Sequence, residues 1–386
     1  MRPSMPEPTT IVKAVYVHAP FCARRCSYCD FAVTVRKKGG QRLWLDALGR
    51  ELQIIEQEGL FGLAHNLSSI YVGGGTPSLF GLGAMEGLGR LLGQAQRTGN
   101  DLEWTAEANP ESLTHELIVD WRKAGVNRVS IGIQSFDDDA LRWMGRLHGS
   151  EGAISAVKVC KEVGLSNLSV DLIFGLPRGL GRSWERDLDL VLELEVPHIS
   201  LYGLTVESNT PLGRAVADGK QPPLDDELYR EEFLIASGRL SEAGYLHYEV
   251  SNFAHPNHAA RHNAVYWSDV PYLGLGNGAH SYSHPIRRWN VREWEEYYAH
   301  VKSGSSPEEG REEITVTERS LERVWLSLRT LEGVSLAQMT SNGENTTEAW
   351  VRDGLAVRLH NRIRLTPLGW LELDRLALEI ESVLPH

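Results

Sequence analysis

The sequence predicts an α/β chain: a partial barrel of six parallel β/α units, then a smaller α+β module of winged-helix type. Three observations predict it. Short apolar, β-branched runs alternate with amphipathic stretches of helical length up to about residue 205. A cluster of Gly, Pro and polar residues follows most of those runs. After about residue 305 the alternation stops, and helical spacing with one strand pair takes over. Near-continuous apolar runs are the mark of parallel strands buried on both faces. Strands joined through helices require right-handed crossovers. Six units fall two short of a closed eight-fold barrel.

Residues 1–11 read as a loose tail, because Met-Arg-Pro-Ser-Met-Pro-Glu-Pro lacks the apolar core of a secretory signal. The barrel is expected over 12–215. Its strands are expected at 12–17, 69–72, 103–106, 128–133, 167–173 and 198–201. Helices are expected at 42–57, 85–96, 111–123, 138–144, 151–163 and 184–194. Cys160 falls inside one of them and reads as a small core residue. Residues 216–305 form an extension. Ser303 to Pro307 reads as a linker into the module over 306–386. There Leu321, Val324, Trp325 and Leu328 have helical spacing, with Thr317 as N-cap. Residues 357–365 read as a strand pair. Such a module often binds DNA, but the acidity of the chain favours a packing or partner-binding role.

The 386 residues, 42% hydrophobic and 23% charged, have the composition of an ordinary globular protein. No apolar run reaches the roughly 18 residues of a membrane span. A net charge of −12 argues against a broad nucleic-acid surface, so no nucleic-acid partner is expected. Reduced cysteines without a secretory signal imply the cytoplasm.

Three of the four cysteines, Cys22, Cys26 and Cys29, share the loop expected after the first strand. The spacing C-x3-C-x2-C can hold three irons of a [4Fe–4S] cube and leave the fourth without a protein ligand. Zinc is the alternative, but it normally takes four N or S ligands and would need a distant histidine. Further along the expected rim lie Gly73-Gly-Gly-Thr-Pro77, Glu107-Ala-Asn-Pro110, Gln134-Ser-Phe136 and Gly175-Leu-Pro177. The C-terminal ends of barrel strands are where such folds build their sites. Bare glycine backbone lets a ligand approach closely, and Glu107 can meet an ammonium group.

With Tyr28 before the third cysteine, the loop resembles that of the radical S-adenosylmethionine (SAM) enzymes. The runs Tyr16-x-His18-x-Pro-Phe-Cys22, Arg128-Val-Ser-Ile-Gly-Ile-Gln134 and Asp171-Leu-Ile-Phe-Gly-Leu-Pro177 resemble the oxygen-independent coproporphyrinogen III oxidase family over nearly the whole chain. The resemblance implies a [4Fe–4S] cluster on Cys22, Cys26 and Cys29. It implies SAM contacts from Tyr16, Gly74, Gly75, Thr76, Glu107, Gln134, Arg146 and Asp171. Asp171, expected at the end of strand five, and Gln134 could accept from ribose hydroxyls. Arg146 could donate to the SAM carboxylate.

That family contains radical decarboxylases and a branch of haem chaperones. Phe31 stands where the oxidases carry a further cysteine, and only about fifteen residues precede Tyr16. The run His262-Asn-Ala-Val-Tyr266-Trp267 matches the H-N-x-x-Y-W signature of the chaperone branch. The resemblance therefore implies that haem is bound, with His262 as axial ligand, and passed to acceptor haemoproteins. Coproporphyrinogen III oxidation is the alternative. A homodimer, and contact with membrane-bound haemoproteins, are implied in the same way.

Overall fold

A computed structural model describes residues 9–36, 39–93, 101–339 and 341–381. Six parallel strands form its centre: β1 (Ala14–Ala19), β2 (Ser69–Gly74), β3 (Glu103–Ala108), β4 (Arg128–Gln134), β5 (Leu168–Phe174) and β6 (His198–Gly203). Each lies beside its successor, as right-handed β/α units dictate. All six run one or two residues past their expected ends, because the rim residues still pair in the sheet. Gly73 and Gly74, for example, lie opposite His18 and Ala19.

Helices α1 (Gln41–Glu58), α2 (Ala84–Leu91), α3 (His115–Ala124), α4 (Asp138–Met144), α5 (Ser150–Glu162) and α6 (Trp184–Glu193) connect the strands. The helix expected over 111–123 is split. A single turn occupies Pro110–Ser112, and the Thr114 hydroxyl then caps α3 by accepting from the Leu117 amide. The expected end of the second helix falls partly in 94–100, outside the described residues. Val72, Trp104, Ile131, Val170 and Leu188 join one continuous core, together with Cys160. The tail expected over 1–11 is corrected at its end, since Thr10–Val12 pairs in parallel with Phe61–Leu63; residues 1–8 lie outside the described residues.

The sheet does not stop at six strands. Among the described residues it has twelve, and both flanks of the barrel are extended. Beyond β6 lie β7 (Leu246–Glu249) and β8 (Asn252–Ala254), with β8 antiparallel to β6. On the other flank, β9 (Tyr272–Leu275) pairs in parallel with β1. The antiparallel strands β10 (His280–Ser283), β11 (Ile286–Asn290) and β12 (Glu308–Glu313) follow. The glycines of Gly274-Leu-Gly276 permit this junction. A Cβ on Gly274 would meet the His280 carbonyl oxygen at 2.1 Å, and Gly276 has φ 97°.

Helices α7 (Pro211–Ala217), α8 (Asp226–Glu242), α9 (Arg261–Tyr266) and α10 (Trp294–Ser303) complete the extension. The last part joins α11 (Val316–Leu328), β13 (Val334–Ser335), α12 (Ser341–Arg352), β14 (Ala356–Leu359), β15 (Arg362–Leu365), α13 (Pro367–Leu371) and α14 (Leu373–Glu381). Its three strands form a separate antiparallel sheet beside the helices, the winged-helix pattern. The cap of α11 is Thr315, not the expected Thr317. Thr315 and Glu318 form a capping box with reciprocal bonds to backbone amides. Among the described residues no helix is long and apolar enough to cross a membrane.

Candidate functional site

The C-terminal ends of β1 to β6 open into a cavity of about 600 Å3. Cys22, Cys26 and Cys29 line it, and so do Tyr16, Gly74, Gly75, Thr76, Glu107, Gln134, Arg146 and Asp171. The fold thus gathers every residue assigned to the cluster and SAM, from five strands and their loops.

The cysteine loop is held by the rest of the chain. The Arg36 amide donates to the Cys22 carbonyl, the Ser27 amide to Met144 and the Leu212 amide to Ser27. His18 anchors the far end. Its Nε2 lies 2.9 Å from the Ala32 carbonyl and must donate there, so Nδ1 accepts from the Tyr16 hydroxyl at 2.9 Å. Burial lowers the His18 pKa to about 4, which keeps the ring neutral. Asn277 Nδ2 donates to the same Ala32 carbonyl at 3.0 Å. Sequence reasoning missed His18 and Asn277 as loop anchors, although His18 sits within a quoted motif.

Donors face the sulfurs. The Thr76 hydroxyl donates to Cys22 Sγ at 3.3 Å, and Arg146 Nη1 lies 3.8 Å from Cys26 Sγ. Burial pushes the Cys22 thiol up to about 12, a barrier to ionisation that a coordinating metal removes. Among the described residues no three His, Cys, Asp or Glu side chains converge on a single ion position. Three thiols on one short loop are the protein sulfurs that a cubane with one open iron takes, whereas zinc would need a fourth N or S ligand.

The wall is tight around the glycines. A Cβ on Gly75 would meet the Ala19 carbonyl at 2.4 Å, and Gly74, at φ 100°, would drive one into the His18 ring. Glu107 accepts from the Tyr71 hydroxyl at 2.6 Å and from the Gly74 amide at 2.9 Å. Burial nevertheless raises its carboxyl to about 7. Gln134 ends β4 with φ 72°, beside a break in register with β5. Such strain in a non-glycine residue is characteristic of functional sites. Arg146 is tied down inside the cavity. Its Nη2 donates to the Gly132 carbonyl at 2.6 Å and to Asn109 Oδ1 at 2.7 Å, while the buried Nε has no partner. Asp171 requires a correction. It sits mid-strand in β5, not at its end, where it accepts from Ser130 at 3.0 Å on the polar floor of the cavity. Phe31 is 62% exposed at the mouth.

His262 lies apart from these residues. It is 0% exposed on α9, with Nδ1 2.9 Å from Ser69 Oγ and Nε2 3.0 Å from the Tyr266 hydroxyl. Both nitrogens are engaged, so the expected role as direct haem ligand does not fit this arrangement. The ring stacks on Tyr71, 5.2 Å between centroids, and Tyr71 stacks on Tyr16 at 6.2 Å. Tyr71 was also missed: only its spatial neighbours reveal that it links the H-N-x-x-Y-W helix to Glu107.

Residues 16–191 match the model of the Radical SAM superfamily. A Mycobacterium tuberculosis relative named "Heme chaperone HemW" is 35% identical over 363 residues, 93% of this chain and 92% of its own. The chain belongs to the HemW family. A Bacillus subtilis HemW is 33% identical over 328 residues, 84% of this chain and 85% of its own. The solved structure of coproporphyrinogen III oxidase (HemN) from Escherichia coli shares the fold, with TM-score 0.78 over 98% of this chain and 91% of its own at 22% identity. Radical SAM membership implies a [4Fe–4S] cluster and SAM for this HemW-family chain.

Proposed function

We propose that this chain is a haem carrier. It binds haem, hands it to acceptor haemoproteins and uses a [4Fe–4S] cluster and SAM in that cycle. The support is the coupling of two regions: the H-N-x-x-Y-W helix stacks through His262 on Tyr71, whose hydroxyl bonds the cavity carboxylate Glu107. Cys22, Cys26 and Cys29 would hold the cluster, a redox centre with one iron open to a small-molecule ligand. Gly74 and Gly75 would admit the methionine end of SAM to the backbone, and Glu107 would meet its ammonium. Tyr16, Thr76, Gln134, Arg146 and Asp171 would complete that seat.

The alternative is decarboxylation of coproporphyrinogen III on the same fold. Phe31 counts against it, since it replaces the extra cysteine that the oxidases carry. Anaerobically reconstituted protein should take up haem, load an apo-haemoprotein with it, and form no protoporphyrinogen from coproporphyrinogen III. Protoporphyrinogen formation under reducing conditions would overturn the carrier reading.

SAM binding should depend on pH through Glu107. Below about 7 the buried carboxyl is protonated and offers no charge to an ammonium. Affinity measured by equilibrium dialysis should therefore rise from pH 6 to pH 8, roughly tenfold at most. Linkage gives the unliganded chain the opposite sign. A raised carboxyl pKa adds stability below its ordinary value, and that contribution is lost as pH rises through about 7. Because SAM binds more tightly there, thermal stabilisation by SAM should be largest above pH 7. Glu107→Gln should flatten both profiles, and an unchanged pH dependence in that variant would reject the assignment.

A further inference from the structure

A second cavity, of about 330 Å3, lies on the far side of Tyr266. We propose that this cleft, between α9, the β9–β11 face and α11, is the seat of a flat aromatic dicarboxylate. On the carrier reading above, on which this rests, that ligand is haem, and Arg323 and Arg329 take its two carboxylates.

Aromatic rings form the walls. Tyr272 and Tyr282 are cross-strand partners, Arg287 stands opposite Tyr282, and the Tyr266 ring meets Tyr272 edge-on at 5.0 Å. Trp325 faces them from α11. Such surfaces suit a planar ring. The lining also carries four guanidiniums against two carboxylates, Asp269 and Glu322, in a chain of net charge −12.

Two of the four cations are already paired. Arg287 bonds Glu312 at 2.6 Å and Glu322 at 2.7 Å, and Arg319 bonds Asp269. Among the described residues the others have no ion pair. Arg323 is exposed on α11 and acts on Asp269 only through space. Arg329 is half-buried and donates to the Trp325 carbonyl at 2.9 Å. Burial lowers its pKa, and Asp374 opposes this from beyond ion-pair distance. A partly desolvated guanidinium without a carboxylate is a cost that an incoming carboxylate removes. The two cations without an ion pair among the described residues match the two propionates of haem. The cleft is shallow for so large a ring, so one edge stays outside, which suits cargo that must be released.

His262 is then a positioning residue. It stands one helical turn before Tyr266 and fixes that wall by the bond to its hydroxyl.

The test is a haem titration of the reconstituted full chain, followed by absorbance. Arg323→Glu, at an exposed position that tolerates substitution, should weaken binding at least about tenfold, and Arg329→Gln should do likewise. Haem dimethyl ester should bind the unaltered chain as weakly as haem binds the variants. His262→Ala should weaken binding without changing the spectrum of bound haem, and His262→Gln, which can still bond Tyr266, should restore affinity. Unaltered affinity in both arginine variants, or equal affinity for the ester, overturns the seat and leaves the carrier reading standing. An altered axial-ligand spectrum in His262→Ala overturns its positioning role. Failure of the unaltered chain to bind haem overturns the carrier reading and the seat together.

Discussion

Cys22→Ala should abolish the cluster. Iron should fall from about four atoms per chain to below about one, with loss of the iron–sulfide absorption. The expected effect is all-or-none because the chain has no spare thiolate. The fourth cysteine, Cys160, is 0% exposed in the core on α5 and does not line the cavity. Two remaining thiolates would leave two iron corners without protein sulfur. The loop itself should persist, since the bonds of Ser27, Arg36 and His18 that hold it do not involve the sulfurs. The variant should therefore keep its circular dichroism and melting cooperativity while losing iron and sulfide. Cys26→Ala and Cys29→Ala should behave alike, and Cys160→Ala should keep its iron. Near-full iron and sulfide in Cys22→Ala would refute the assignment of the trio.

The six central strands were legible because burial on both faces makes them apolar throughout, and helices of ordinary length separate them. The flanking strands were not legible. β12 reads Glu-Glu-Gly-Arg-Glu-Glu and carries no apolar alternation, because it is an edge strand whose charges ward off further pairing. β8 is three residues long, too short for a period. At the site, the glycine run and the cysteine spacing are local patterns, so sequence exposed them. Asp171 was assigned to a strand end because a rim ligand was expected there. In fact the polar floor reaches deeper, with Ser130 bonding it from the neighbouring strand. The ligand role of His262 is what the H-N-x-x-Y-W resemblance implies, and a motif carries no contacts. Only the third dimension supplies Ser69 and Tyr266, which occupy its two nitrogens.

Arg182→Met should be the most destabilising single substitution proposed here, by about 3–5 kcal/mol. No motif marks Arg182, yet its side chain is 3% exposed between Glu232 and Asp187, at 2.6 Å and 3.4 Å. Those carboxylates brace the rim. Glu232 accepts from the Gly175 amide after β5, and Asp187 from the Ser135 hydroxyl and Phe136 amide after β4. Removing the cation leaves two buried carboxylates that repel each other beneath the loops that follow β4 and β5. Burial already raises both carboxyls, and without Arg182 they rise further, so protonation relieves the strain. The deficit, read from urea midpoints, should thus be greatest near pH 8 and shrink as pH falls toward about 5. Adding Asp187→Asn and Glu232→Gln should recover part of the loss, because a neutral cluster no longer holds unpaired charge. A deficit that is constant with pH, or one that the triple variant deepens, would show that Arg182 acts through packing on Trp184, 4.9 Å from its guanidinium, and not as the counter-ion of the rim.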